Sequence, residues 1–344
     1  VSPDCDSLPS PVITPGDLLK ITMRQRILAS AAVLFSFLIP DPVMAANFTE
    51  IYVFGDSLSD TGQLFQRSQA QIPPSSLYFQ GRFSNGPVWV EYLAEQLNIP
   101  FNPDTNFASG GAITGEMNRN ETPSRGLLDQ VNRFQQTQDS ADPKALYIVW
   151  AGPNDYLGNQ ERNPTQPVSN VSEAIATLAA MGAQNFLVPN LPDLGNLPAT
   201  RNRQSSVQLN ELIRLHNQGL AQSLQQLSLR LGSEVEIIPL NVNEIYNRVL
   251  ENPADFGFEN VTEPCLNQQR GMICKNPQDY LFWDDIHPTT FAHEKLGVYA
   301  FQLLENSEAA IDSDVSSGKE RLTVPPRGTQ KRIKSRMPVQ MGSN

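Results

Sequence analysis

Short runs of β-branched and aromatic residues alternate along this chain with longer stretches of helical period. The runs fall at Glu50–Phe54, Thr105–Ala108, Leu146–Trp150, Asn185–Val188 and Val235–Pro239. The helical stretches cover residues 86–97, 126–138, 168–181, 205–231, 241–250 and 290–305. Strands separated by helical crossovers pair in parallel and need apolar cover on both faces. The pattern therefore predicts an α/β fold, a three-layer α/β/α sandwich around a central parallel sheet of about five strands. No repeat of 20–50 residues and no Pro/Gly/Ser-rich linker divides residues 46–305, which reads as one domain. Ligands on open sheets of this kind bind beyond the carboxyl ends of the strands, and chemistry is expected there.

The ends of the 344-residue chain read differently. Residues 23–45 carry Arg24 and Arg26, an apolar run from Ile27 to Ile39, and the small-residue signal Val43-Met44-Ala45. That is the order of a secretory signal peptide cleaved near Ala45. The apolar run is shorter than the ~20 residues a stable membrane span requires. Residues 1–22 then form an upstream leader that is not expected in the native protein. From residue 306 to 344 the sequence turns Ser-, Pro- and Lys/Arg-rich, the composition of a disordered basic tail. The expected location is secreted or periplasmic. Asn47, Asn120, Asn170 and Asn260 begin N-x-S/T sites that would matter in a eukaryotic secretory pathway.

Charge and cysteine content remove whole classes of function. The net charge is −11, and residues 46–305 carry 15 Lys+Arg against 28 Asp+Glu, so nucleic acid is not an expected partner. Three His and three Cys without a CxxC or HExxH pattern leave no expected metal or cofactor. With the leader removed, Cys265 and Cys274 remain as a pair nine apart in an exported protein, a candidate disulfide closing a small loop. Two reduced cysteines are the alternative.

Four segments point to nucleophilic catalysis. The first strand runs into Phe54-Gly55-Asp56-Ser57, which places a serine at a strand-to-helix turn facing the crevice. A hydroxyl needs a base to remove its proton. His287 stands just before the last helix, and Asp284 or Asp285 can hold its second ring nitrogen. His216 lies on the apolar stripe Leu209, Leu212, Ile213, Leu220, Leu224 and Leu227 and reads as a packing histidine. His293, inside the last helix, reads as a helix-surface or packing residue. Donors for an oxyanion are available after the second and third strands, in Asn106-Phe107-Ala108-Ser109-Gly110-Gly111-Ala112 and Ala151-Gly152-Pro153-Asn154-Asp155. The GxSxG signature of the nucleophile elbow is absent.

Taken together, GDSLSD, NFASGGA, GPND and DDIHP resemble, in order and approximate spacing, the SGNH or GDSL-type lipase/esterase family. The secreted branch with plant-type lipases and bacterial phospholipase/haemolysin-like enzymes is the most similar, and Val188–Gly195 is similar to that branch as well. The resemblance spans residues 48–305 and implies an SGNH hydrolase fold with flavodoxin-like strand order. By position it implies Ser57 as nucleophile, His287 as base, Asp284 rather than Asp285 as its partner, and Ser57, Gly111 and Asn154 as the oxyanion hole. The implied function is a secreted serine ester hydrolase, EC 3.1.1.-, acting on a lipid or short acyl ester through an acyl-enzyme on Ser57. A carbohydrate O-acetyl esterase and a non-catalytic surface-binding module on the same scaffold are the alternatives. The loops Arg67–Ser84 and Gly115–Ser124 are the expected walls of an acyl pocket. Oligomeric state has no signature in the sequence.

Overall fold

The computed structural model of the protein describes residues 48–116, 124–158, 160–268 and 270–316. The expected leader (1–22), the expected signal peptide (23–45), Asn47, Asn120 and the tail beyond Ser316 lie outside the described residues.

Four strands make the central sheet: β1 (Ile51–Gly55), β2 (Leu146–Trp150), β3 (Asn185–Pro189) and β4 (Glu236–Leu240). They pair in parallel in the order β1-β2-β3-β4, with Gly55 opposite Trp150 and Pro189 opposite Leu240. All four carboxyl ends therefore reach one edge. β1 and β2 are buried at every position, as a sheet covered on both faces demands. Gly55 is required where these two strands end, because a Cβ there would lie 2.3 Å from the Trp150 carbonyl oxygen.

Six helices supply the outer layers: α1 (Trp89–Gln96), α2 (Leu127–Thr137), α3 (Thr165–Ala180), α4 (Ser206–Leu231), α5 (Val242–Glu251) and α6 (Thr290–Ser316). Side chains alternate across a strand, and the two faces divide accordingly. Tyr52, Phe54, Tyr147, Val149, Phe186 and Val188 pack into one core with Leu127, Val131 and Phe134 of α2, Ile175 and Leu178 of α3, and Leu224 and Leu227 of α4. On the other face α1 and α6 pack against each other, and Trp89 meets Trp150 edge-on at 5.6 Å. The result is the α/β/α sandwich.

Two elements depart from expectation. The run at residues 105–108 does not form a full fifth strand and makes only an isolated parallel bridge, Asn106 to Val53. A 3₁₀ turn at Pro103–Thr105 precedes it and the Ser109–Ala112 turn follows it, leaving no length for a ladder. The Asn106 side chain also donates to the Ser59 carbonyl and to Thr61. Counting that bridge, the chain order across the sheet is 2-1-3-4-5, the flavodoxin-like one. The second departure is α6, which continues past residue 305 to Ser316. Ala309 and Ala310 are strong helix formers, and the next Gly is Gly318, so a helix already anchored at its start propagates.

Outside the central sheet, Asn260–Pro264 pairs with Tyr280–Phe282, and Leu266–Asn267 pairs with Met272–Ile273 as a hairpin. The Cys265 and Cys274 sulfurs are joined at its base, with Cα atoms 4.8 Å apart. Among the described residues no helix is long and apolar enough to cross a membrane.

Candidate active site

β1 ends at Gly55 and the chain turns at once, with the Ser59 and Asp60 N–H groups donating to the Asp56 carbonyl. Ser57 sits in this turn at the carboxyl edge, 7% exposed. Asp60 holds the turn rigid: its carboxylate accepts from the backbone N–H groups of Gly62, Gln63, Leu64 and Gly110. Gln130 fixes the strand end itself, accepting from Gly55 N–H and donating to Gly55 O, each at 2.8 Å.

His287 meets Ser57 from the other end of the sequence. Ser57 Oγ lies 2.8 Å from His287 Nε2, and His287 Nδ1 lies 2.8 Å from Asp284 Oδ2 and 3.0 Å from Oδ1. An ionised carboxylate only accepts, so Nδ1 carries the proton and Nε2 is left to accept from the serine hydroxyl. The backbone N–H groups of Ile286 and His287 donate to Asp284 Oδ1 and fold the segment into a tight loop around the carboxylate. Asp285 is exposed, and both carboxylate contacts of His287 Nδ1 are to Asp284.

Electrostatics follow from that arrangement. Burial works to raise the Asp284 carboxyl, but the charge and hydrogen bonds of His287, with a further bond from Tyr78, hold it at about 2. Burial works to lower His287, and the neighbouring Asp284 charge overrides it and raises the imidazole above the ordinary histidine range, with Asp56 adding to the effect. Asp56 is pushed up to about 7, chiefly by burial, while its bond from Leu58 N–H opposes the rise.

The two segments rich in Gly and Asn approach the same place. Asn154 opens a short helix at Pro153–Leu157, and its Nδ2 donates to Ala112 O at 3.0 Å, with Asp56 Oδ2 at 3.5 Å. The Asn154 amide and the Gly111 turn are thereby tied together. Gly111 has φ +76°, a left-handed conformation that favours glycine. Gly110, the alternative glycine, donates its N–H to Asp60. Behind Asn154, Thr114 donates twice to Asp155 and accepts from Asn170, which leaves the Asn170 amide buried in the structure.

An apolar cavity of about 240 Å³ opens beside these groups, with Ser57, Asn154 and His287 in its lining. Its walls are Val242, Ile245, Tyr246 and Val249 of α5, Ala292, Leu296 and Tyr299 of α6, and Leu194, Leu197, Phe256 and Phe258 from connecting segments. The wall residues recur at the i, i+3, i+4, i+7 spacing of single helix faces. Of the two loops expected to build the pocket, Arg67–Ser84 supplies none of these wall residues, and most of Gly115–Ser124 (residues 117–123) lies outside the described residues. The first of these instead packs against the His287 segment, with Phe83 5.0 Å from the imidazole ring.

The sequence profile of the GDSL-like Lipase/Acylhydrolase family matches residues 51–299. The chain belongs to that family. Its class is carboxylic ester hydrolase. A phosphatidylcholine-sterol acyltransferase of Aeromonas hydrophila is 28% identical, over 75% of this chain and 91% of that protein. A thermolabile hemolysin of Vibrio parahaemolyticus is 28% identical over 76% of this chain, which spans 64% of the hemolysin's length. GDSL esterase/lipase 5 of Arabidopsis thaliana is 27% identical, over 71% of this chain and 80% of that protein.

Within this GDSL-family chain the other two histidines are packing residues. His216 in α4 is fully buried against Tyr156, with Nδ1 2.7 Å from the phenol oxygen, and burial lowers it to about 4. His293 in α6 accepts from Trp89 N–H at Nδ1 and is lowered to about 3, mainly by burial. Polar residues of the site that sequence does not single out include Asp56, Asp60 and Tyr78. The first two lie inside the GDSLSD segment and carried a signal there, as carboxylates at a buried turn. Tyr78 carried none.

Proposed function

We propose that the protein is an exported serine esterase that cleaves acyl esters through an acyl-enzyme on Ser57. The observation that carries this reading is the hydrogen-bonded series Ser57–His287–Asp284 standing at the mouth of an apolar cavity. His287 takes the Ser57 proton as Oγ attacks the ester carbonyl, and Asp284 stabilises the imidazolium. The tetrahedral oxyanion is held by the N–H groups of Ser57 and Gly111 and by the Asn154 amide. His287 then protonates the departing alcohol. Water then attacks the acyl carbon as His287 takes its proton, and His287 returns that proton to Ser57 Oγ as the Oγ–acyl bond breaks and the carboxylic acid leaves.

The cavity favours an acyl chain over acetate. Ala292 to Tyr299 and Val242 to Val249 are each seven helical steps, so two helix faces each offer ~10 Å of apolar wall. Each buried methylene contributes about 0.8 kcal/mol, which an acetyl ester cannot collect. An O-acetyl carbohydrate leaves that wall unused. The acyltransferase of Aeromonas hydrophila supports a lipid acyl donor, with an alcohol able to replace water in the second half-reaction. Export rests on the pattern at residues 23–45 and agrees with the Cys265–Cys274 disulfide.

A fluorophosphonate probe tests the nucleophile. Peptide mass analysis is expected to find the adduct on Ser57, and an adduct elsewhere with Ser57 unmodified would contradict the mechanism. N-terminal sequencing of the exported protein tests the leader, with cleavage expected near Ala45.

A further inference from the structure

Asp284 has a second partner that the hydrolytic mechanism above does not use. Tyr78 Oη donates to Asp284 Oδ2 at 2.6 Å, the same oxygen that faces His287 Nδ1. Gln268 in turn donates from Nε2 to Tyr78 Oη at 2.5 Å and lies 3.5 Å from Asp284 Oδ2. The donors all point one way, from Gln268 through Tyr78 to the carboxylate, and each bond polarises the next.

Tyr78 is buried, and its loop is tied to the histidine segment by Ser84 Oγ donating to Pro288 O and by Asn85 Oδ1 accepting from Thr290 N–H. Phe83 of that loop covers the imidazole. Gln268 follows the first strand of the hairpin closed by Cys265 and Cys274. That hairpin is fastened to the chain just before Asp284, with Cys265 N–H donating to Phe282 O and Leu266 N–H to Trp283 O. Tyr78, Cys265, Leu266 and Trp283 form a small apolar cluster that seals the carboxylate from behind.

We propose that Tyr78, backed by Gln268, is a positioning residue that fixes Asp284 and sets the basicity of His287. The inference rests on the Ser57–His287–Asp284 reading. A hydroxyl donating to Oδ2 draws off part of the carboxylate charge that would otherwise act on the imidazolium. Removing it leaves the aspartate more strongly paired with His287 and less fixed in place. The other ionisable groups facing His287 are Asp56 from the β1 turn and His293 from α6, which the change leaves alone.

The test is the pH profile of kcat/KM for a p-nitrophenyl ester with full-length wild type, Tyr78→Phe and Gln268→Ala, beside Ser57→Ala. Tyr78→Phe keeps the ring that packs on Phe83. Its kcat is expected to fall about tenfold, the scale of one bond to a charged group, with KM changed less than about twofold. Its acid limb is expected to move upward by about half a pH unit. Gln268→Ala is expected to move the limb the same way by less. Ser57-dependent turnover with the acid limb of Tyr78→Phe unmoved, whether or not kcat falls, overturns the inference and leaves the triad reading standing. Turnover retained in Ser57→Ala overturns both.

Discussion

Ser57 Oγ and His287 Nε2 lie 2.8 Å apart although 230 positions separate them in the chain. The parallel sheet makes that contact. It delivers the end of β1 to the carboxyl edge, and α6, packed on α1, brings the segment that precedes it to the same edge. Ser57→Ala is therefore expected to remove hydrolysis by a factor on the order of 10⁶, with Asn154→Ala costing about 10²–10³. Steady-state kcat on one activated ester measures both, and a thermal melt within a few degrees of wild type excludes misfolding.

Asp284 and Asp285 provide an internal control. Asp284 is buried and bonded to His287, while Asp285 is exposed. Asp284→Asn is expected to lower kcat by about 10³–10⁴, because the wrong tautomer then faces the serine, and Asp285→Asn to leave it within about twofold. The reverse ranking would mean that the imidazole turns to the other carboxylate.

The pH dependence has a stated direction. His287 serves as base only when neutral, and its folded-state pKa is raised, so kcat/KM is expected to fall with acid at a midpoint above the ordinary ~6.5 of histidine. Asp56 contributes to that rise, and Asp56→Asn is expected to move the acid limb downward. Asp56 itself is raised to about 7, so the folded state holds a proton that the unfolded state has released. Its contribution to stability is full below the ordinary ~3.9 of aspartate and declines as pH rises to about 7. Melting curves of Asp56→Asn relative to wild type should therefore show a gain at pH 8 that disappears near pH 4.

Much of the site was legible because its parts are short and local. Gly55-Asp56-Ser57 and Asp284-Asp285-Ile286-His287 each carry their geometry within four residues, and the spacing three apart places the carboxylate under the imidazole. The sheet was legible for a similar reason, since four of the five strands are short, local runs dominated by apolar residues. What the sequence hid depends on distant contacts. Tyr78 meets Asp284 across 206 positions, in a loop with no periodicity of its own. The cavity wall was hidden differently, because the apolar faces of α5 and α6 look the same whether they pack on a core or line a void. The 105–108 run failed as a strand because Asn106 turns its side chain to Ser59 and Thr61, a competition that β-propensity does not register.

The cavity makes a prediction about chain length. Leu296 stands on the α6 wall, so Leu296→Trp fills space that an acyl chain would occupy. Hydrolysis of p-nitrophenyl octanoate is expected to drop about tenfold or more while acetate changes by less than about twofold, since only the longer chain reaches that depth. Equal losses on both esters would place the acyl chain elsewhere.

The disulfide hairpin links stability to the site. Replacing both Cys265 and Cys274 by Ser removes the closure of a short loop, a change of about 2–3 kcal/mol in the entropic account. A lower denaturation midpoint is expected together with reduced kcat, because Gln268 loses its anchor. A lower midpoint with kcat unchanged would separate the hairpin from catalysis.

The most direct measurement is the hydrolysis of p-nitrophenyl esters from acetate to palmitate by the purified protein and its Ser57→Ala variant. Turnover is expected to depend on Ser57 and to rise from acetate toward the medium-chain esters. Turnover that persists without Ser57, or folded protein that cleaves no ester of the series, would contradict this expectation.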